Sequence, residues 1–329
     1  MEQNKKTIPN GKKKKKVIKK HNKNKFSIHL IFFILIIAVF LFAVIKFLLW
    51  NKGEASDYDP NETTTEFDIE TMDYIQTMDS SRFEGIEDDG ITTMLCLGNS
   101  PFSDNKGEDG LAQTLAKKMN GIAYDGSFAN SYQTSLNYHY DPSYPMDAFS
   151  LYRVAEAICT GDFSLQESAA TDEVQAETIH TLKSLDYSKI DMLVIMYDLN
   201  DYIAKRALHN PVMNDDIGAW TGSLNATLNL LETTFPHIRT VVLSAPACGM
   251  TIDGTYIDAD TTDFGNGTLP DYIGLQMGTA MTNGVSFIDL YYGVINSETK
   301  DEYLTDDYHL NEKGIQAIAD RFYYFFGNL

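Results

Sequence analysis

The sequence predicts an α/β domain with helices on both faces of a parallel sheet, preceded by an apolar segment of membrane-spanning length. Three observations carry this. Short apolar runs alternate with amphipathic helical segments from Ile91 onward. One of those runs, Ile190–Tyr197, is almost continuously apolar, as a strand covered on both faces must be. Near the N-terminus, Leu30–Ile45 contains no polar residue. The 329 residues, 43% hydrophobic and 22% charged, suffice for one or two domains with a sizeable core.

The elements follow in order. Residues 1–25 hold 11 Lys and no apolar periodicity, so residues 1–27 read as a basic tail on the cytoplasmic side. The positive-inside rule alone accounts for the lysines; contact with anionic headgroups is the functional alternative. Residues 28–50 read as an uncleaved transmembrane anchor, with Lys46 placed to snorkel and Trp50 at the interface. A cleaved signal peptide competes through the loose small-x-small site Gly53-Glu54-Ala55, but the apolar run exceeds the ~7–15 residues of a signal core. Residues 51–90, rich in Thr, Asp and Glu, read as an acidic stalk with one short helix around Ile69–Met78. The domain proper is expected over 91–329.

Within it, strands are expected at Ile91–Leu97, Gly121–Tyr124, Ile190–Tyr197, Val241–Ser244 and Val285–Leu290. Helices are expected at Glu108–Met119, Asp147–Cys159, Thr171–Leu185, Gly218–Thr234, Tyr272–Met281 and Glu312–Phe326, the last capped by Asn311. Ligands of such sheets bind beyond the C-terminal strand ends.

Charge and cysteine content exclude whole classes. The first 52 residues carry 13 Lys and one acid; the remainder carries 13 Lys and Arg against 45 acids, a net charge of about −32. Nothing there could neutralise phosphates, so no nucleic-acid partner is expected. Cys96, Cys159 and Cys248 form neither a disulfide framework nor a Cys-x-x-Cys. His139 and His180 lack ligand-spaced neighbours, so no metal and no cofactor is assigned.

Three strand exits carry reactive side chains. The first ends in Gly98-Asn99-Ser100, the third in Asp198-Leu199-Asn200-Asp201, and the last is followed by Asp306-Asp307-Tyr308-His309. A serine at a sharp strand exit presents its hydroxyl beside the backbone N–H groups of the next helix. An Asp three residues before a His can fold back on the imidazole, fixing its tautomer. Each feature alone also serves as turn or cap chemistry; their conjunction on one sheet is what points to a site.

In that conjunction the chain resembles the SGNH (GDSL-type) hydrolases over Ile91 to about Phe326. The family's Gly-Asp-Ser block stands here as Gly98-Asn99-Ser100, its Gly-x-Asn-Asp as Asp198 to Asp201, and its Asp-x-x-His as Asp306 to His309, followed by Leu310-Asn311 and Gly314. The resemblance implies a flavodoxin-like three-layer αβα sandwich with five parallel strands in the order 2-1-3-4-5. It implies Ser100 as nucleophile, His309 as general base, Asp306 as its orienting partner, and Asn200 and the Ser100 N–H as oxyanion donors. The second-block glycine has no counterpart in Gly126–Ser131; Asn130, then Ala129, is the best match, and Asn is the better fit to a positive φ. Asn99 for Asp and Asp198 for Gly are further departures.

The implied activity is a membrane-tethered, extracellular serine esterase removing O-acyl groups, acetyl above all, from a cell-surface polysaccharide or a small ester. An O-acyltransferase using the same residues and a degenerate glycan-binding or assembly module are the alternatives. The tyrosines Tyr132, Tyr138, Tyr140 and Tyr144 are expected in a loop bordering the site, and Asn61, Asn225 and Asn266 form sequons.

Overall fold

The computed structural model describes residues 28–50, 71–85 and 89–327, with side chains of the first segment from 32 to 46. The tail over 1–27 and residues 51–70 of the expected stalk lie outside them. The chain divides into two units, Met1–Phe67 and Asp68–Leu329. In the first, the apolar segment is one helix, Ile28–Trp50, whose described side chains are exposed. With the described side chains of that helix confined to 32–46, no helix among the described residues is long and apolar enough to cross a membrane.

The second unit is built on five parallel strands: β1 (Thr93–Gly98), β2 (Ile122–Asp125), β3 (Met192–Met196), β4 (Arg239–Leu243) and, after the two strands β5 (Gly249–Ile252) and β6 (Thr255–Asp258), β7 (Ser286–Ile288). The sheet order is β2-β1-β3-β4-β7. The expected 2-1-3-4-5 therefore becomes 2-1-3-4-7, because the unforeseen antiparallel hairpin β5–β6 intervenes in the chain before the last strand of the sheet. Side chains on each strand alternate between two cores, as the pleat demands. Leu95, Leu97, Leu193, Ile195 and Val242 face helices 151–160, 173–184, 220–234 and 269–282. Met94, Cys96, Val194, Met196, Val241 and Leu243 face helices 111–118 and 312–326. Three layers result.

Among the described residues of the expected stalk, no helix covers 71–78, the part of the expected helix around Ile69–Met78 that the structure describes. Residues 71–78 form an extended strap along β7. Tyr74 exchanges two backbone hydrogen bonds with Phe287, at 2.9 and 2.7 Å. Gln76 N donates to Ser286 Oγ (3.1 Å), Met72 N to Asp289 Oδ2 (3.0 Å), and Arg321 pairs with Asp73. The physical cause is the free edge of β7, whose N–H and C=O groups need a partner.

Candidate active site

Each expected site residue lies beyond a strand's C-terminal end. Gly98 closes β1 against β3 so tightly that a Cβ there would lie 1.9 Å from Met196 O. Ser100 follows as the first residue of a one-turn helix, Ser100–Ser103, where Pro101 costs no hydrogen bond. At that position the Ser100 N–H has no partner within the helix.

The third strand's exit is tied to the first. Asn99 Nδ2 donates to Asp198 Oδ1 (2.6 Å) and to Ser131 O (3.1 Å), and Asp198 N donates back to Asn99 Oδ1 (3.0 Å). Asn200 N also donates to Asp198 Oδ1 (3.0 Å), while Asn200 Nδ2 reaches Ser131 O (3.2 Å). That amide has a second hydrogen to offer. Asn130 precedes Ser131 and has φ +57°, the left-handed conformation that Asn tolerates better than most residues. Asp201 is buried and accepts from Gln133 N, Thr134 N and Thr134 Oγ1 at 2.8, 3.0 and 2.6 Å, clasping the loop that carries Asn130.

His309 Nδ1 lies 2.7 Å from Asp306 Oδ2, and Asp306 Oδ1 accepts the N–H groups of Tyr308 and His309 at 3.0 and 2.9 Å. Burial pushes the Asp306 carboxyl up, but these donors and the imidazole outweigh it and hold it below its ordinary value. The Tyr308 ring packs against the imidazole at 3.9 Å. Ser100 and His309 line one cleft of about 50 Å³ with Leu111, Pro246 and Leu310. No hydrogen bond joins them; Nε2 instead faces Asp104 Oδ2 at 3.6 Å. Asn200 and Asn130 meet at Ser131 and stand outside that cleft's lining.

Three contributors escape the sequence reading. Asp104 is one helical turn after Ser100, and its signal in the sequence is that i to i+4 spacing. Asp198 stands out in sequence only as a lost glycine. The hairpin β5–β6 holds the histidine's loop, with Gly249 N donating to Asp307 O (2.9 Å) and Thr251 Oγ1 to Asp307 Oδ2 (2.6 Å). Its signal is Asp253-Gly254 between alternating residues, both at positive φ, a two-residue hairpin turn. The tyrosine loop is a correction in the other direction. Tyr138 and Tyr140 line a separate cleft with Arg153 and Glu156, and none of the four tyrosines lines the Ser100 cleft. Among the described residues no cluster of His, Cys, Asp and Glu could hold a metal ion, and all three cysteines are free.

No family model and no curated protein matches the chain. Solved structures do. One superposes with a TM-score of 0.54 at 14% identity, covering 73% of this chain and 98% of its own. A protein from Lactobacillus plantarum does so at 0.51 and 16%, covering 72% and 97%. The domain has the fold of these proteins. A protein described as a GDSL-like lipase from Bacteroides ovatus aligns at 0.45 and 11%, over 73% and 99%. At such identities the likeness is one of fold.

Proposed function

We propose that the domain is an SGNH-type serine ester hydrolase that removes short O-acyl groups through an acyl-enzyme on Ser100. The observation that carries this is the Asp306–His309 pair, 2.7 Å apart, opening onto the cleft that Ser100 lines. Ser100 Oγ attacks the ester carbonyl and passes its proton to His309 Nε2. The imidazolium, steadied by Asp306, then protonates the leaving alkoxide. Water, deprotonated by the same histidine, attacks the acyl-enzyme, releasing the carboxylic acid and regenerating Ser100. In this reading the Ser100 N–H donates to the oxyanion from within the cleft, and the Asn130 N–H and Asn200 Nδ2, outside its lining here, join it when the ester is bound. The small cleft favours short acyl groups over long chains.

Anchoring narrows the substrate. The 23-residue helix Ile28–Trp50, after a Lys-rich segment, supports a single-pass anchor with the N-terminus cytoplasmic and the domain outside. That placement makes an O-acylated, notably O-acetylated, envelope polysaccharide the natural substrate. Transfer to a sugar hydroxyl would use the same residues. One observation favours a catalytically silent module, namely Nε2 facing Asp104 rather than Ser100. Labelling with a fluorescent organophosphonate decides. Wild type should label and hydrolyse para-nitrophenyl acetate, and Ser100→Ala should do neither. An unlabelled wild type, or hydrolysis that survives Ser100→Ala, would refute the esterase assignment.

A further inference from the structure

Among the described residues, the Ser100 cleft is lined by the carboxylates of Asp104 and Asp198 and by no Lys or Arg. Asp104 stands at its mouth, with a half-exposed side chain 3.6 Å from His309 Nε2. Asp198 lies in its floor, 6% exposed, and its Oδ2 is buried without a hydrogen-bond partner. Asp306 flanks the imidazole on the other side. Nearby cations are already engaged. Lys300 bonds Asp258 (3.1 Å) and Tyr256 Oη (2.7 Å), while Lys106 bonds Ser127 O (2.6 Å) and Thr178 Oγ1 (2.9 Å). The one positive charge the cleft can make is imidazolium, and that charge is absent when His309 is ready to take the proton of Ser100.

A buried carboxylate with no Lys or Arg beside it is costly even when, as in Asp198, one oxygen is hydrogen-bonded, and like charges close together add to the cost. Burial, followed by Asp198 and Asp306, pushes the Asp104 carboxyl up against the opposing pull of His309. Burial likewise pushes Asp198 up, although Ser100, Asn99 and the N–H of Asn200 draw it down. A positive group delivered with the substrate would relieve this crowding, and the chain beyond residue 52, at about −32, would draw it in.

We infer that the preferred substrates are esters carrying an ammonium group near the scissile bond, with Asp104 in contact with the cation and Asp198 supplying negative potential from the floor. This rests on the esterase reading above and specifies its substrate class. The ammonium can sit in the acyl part, as in an aminoacyl ester, or in the alcohol part, and the two are separable.

The test compares matched pairs on the full-length protein. The acyl arm is para-nitrophenyl glycinate against para-nitrophenyl propionate, corrected for spontaneous hydrolysis. The alcohol arm is acetylcholine against its uncharged carbon isostere. In at least one arm kcat/KM should favour the cation by about tenfold, the scale of one partly desolvated ion pair. Asp104→Asn should bring that ratio close to unity, whatever it does to the overall rate, and Asp104→Glu should keep most of it. Should Asp104→Asn fail to fold, the wild-type ratio must still fall as salt rises from about 20 to about 500 mM. Ser100-dependent hydrolysis with ratios of one or below in both arms would overturn the inference while leaving the esterase standing. A ratio indifferent to Asp104→Asn, or to salt, would overturn it as well. Absence of any Ser100-dependent hydrolysis would instead refute the esterase assignment, and the inference with it.

Discussion

At the scale of single residues, Asn99 and Asp198 have to be understood as a pair. Each departs from the SGNH pattern, and each looks like a loss on its own. In the structure they bond each other reciprocally, at 2.6 and 3.0 Å, in a buried position. An Asp at 99 would set a carboxylate against the carboxylate of Asp198; the amide removes that clash and supplies the donor. Asn99→Asp should therefore destabilise the fold by about 3 kcal/mol, the cost of an uncompensated buried charge. Adding Asp198→Asn should recover most of that loss in a double-mutant cycle followed by urea unfolding. Additive losses would show that the two residues are not coupled. Asp201 carries the pH prediction. Burial raises its carboxyl to about 6, with three donors and Arg206 pulling the other way. The unfolded value is ~3.9, so between about pH 4 and about pH 6 the folded state holds this proton more tightly. Asp201 thus lends the fold its largest stability below that window and loses roughly 2–3 kcal/mol as pH rises through it. Melting of wild type and Asp201→Asn from about pH 4 to 7 should show the wild type declining relative to the variant. A constant gap would mean that Asp201 does not titrate in this range.

At the scale of elements, the strap over 71–78 and the hairpin β5–β6 do work that no single motif announces. The strap covers the edge of β7, and Met72, Tyr74 and Ile75 pack on the cores. Three partly buried side chains at about 1 kcal/mol each, with the Asp73–Arg321 pair, make it part of the domain. A chain beginning at residue 88 should therefore melt about 6–12 °C below one beginning at residue 68. Equal melting temperatures would return residues 71–78 to the stalk. The hairpin packs on the core through Met250 and also acts on the site, through its two bonds to Asp307, two residues before His309.

At the scale of the whole molecule, charge and topology act together. The proposed anchoring, with the basic segment inside and the acidic domain outside, follows the order of basic, apolar and acidic segments in the sequence and is open to a direct test. Protease added to intact, wall-stripped cells should remove the domain while the basic tail stays protected. A protected domain would overturn both the anchoring and the envelope substrate. The same acidity should make anionic esters poorer substrates than neutral ones at low salt, a difference that kcat/KM measured at rising salt should show shrinking.

By itself the sequence determined the five sheet strands, their helices and the three exits bearing Ser100, Asn200 and His309. Each rests on a local pattern: period-two or continuous apolar runs, helical spacing, and an Asp three residues before a His. It also determined the Asp306–His309 pair, because that contact spans only three residues. What only the tertiary structure decided are contacts between distant segments. Tyr74 and Phe287 stand 213 positions apart, and a short strap at the end of an acidic segment looks like linker until an edge strand needs covering. Asn99 and Asp198, 99 positions apart, compensate only because β1 and β3 are neighbours in register. The lining of the cleft likewise joins two carboxylates, Asp104 from the first exit and Asp198 from the third, to His309 from the last. Local spacing states which side chains share a turn; which charges share a cavity is set by how the sheet brings its strand ends together.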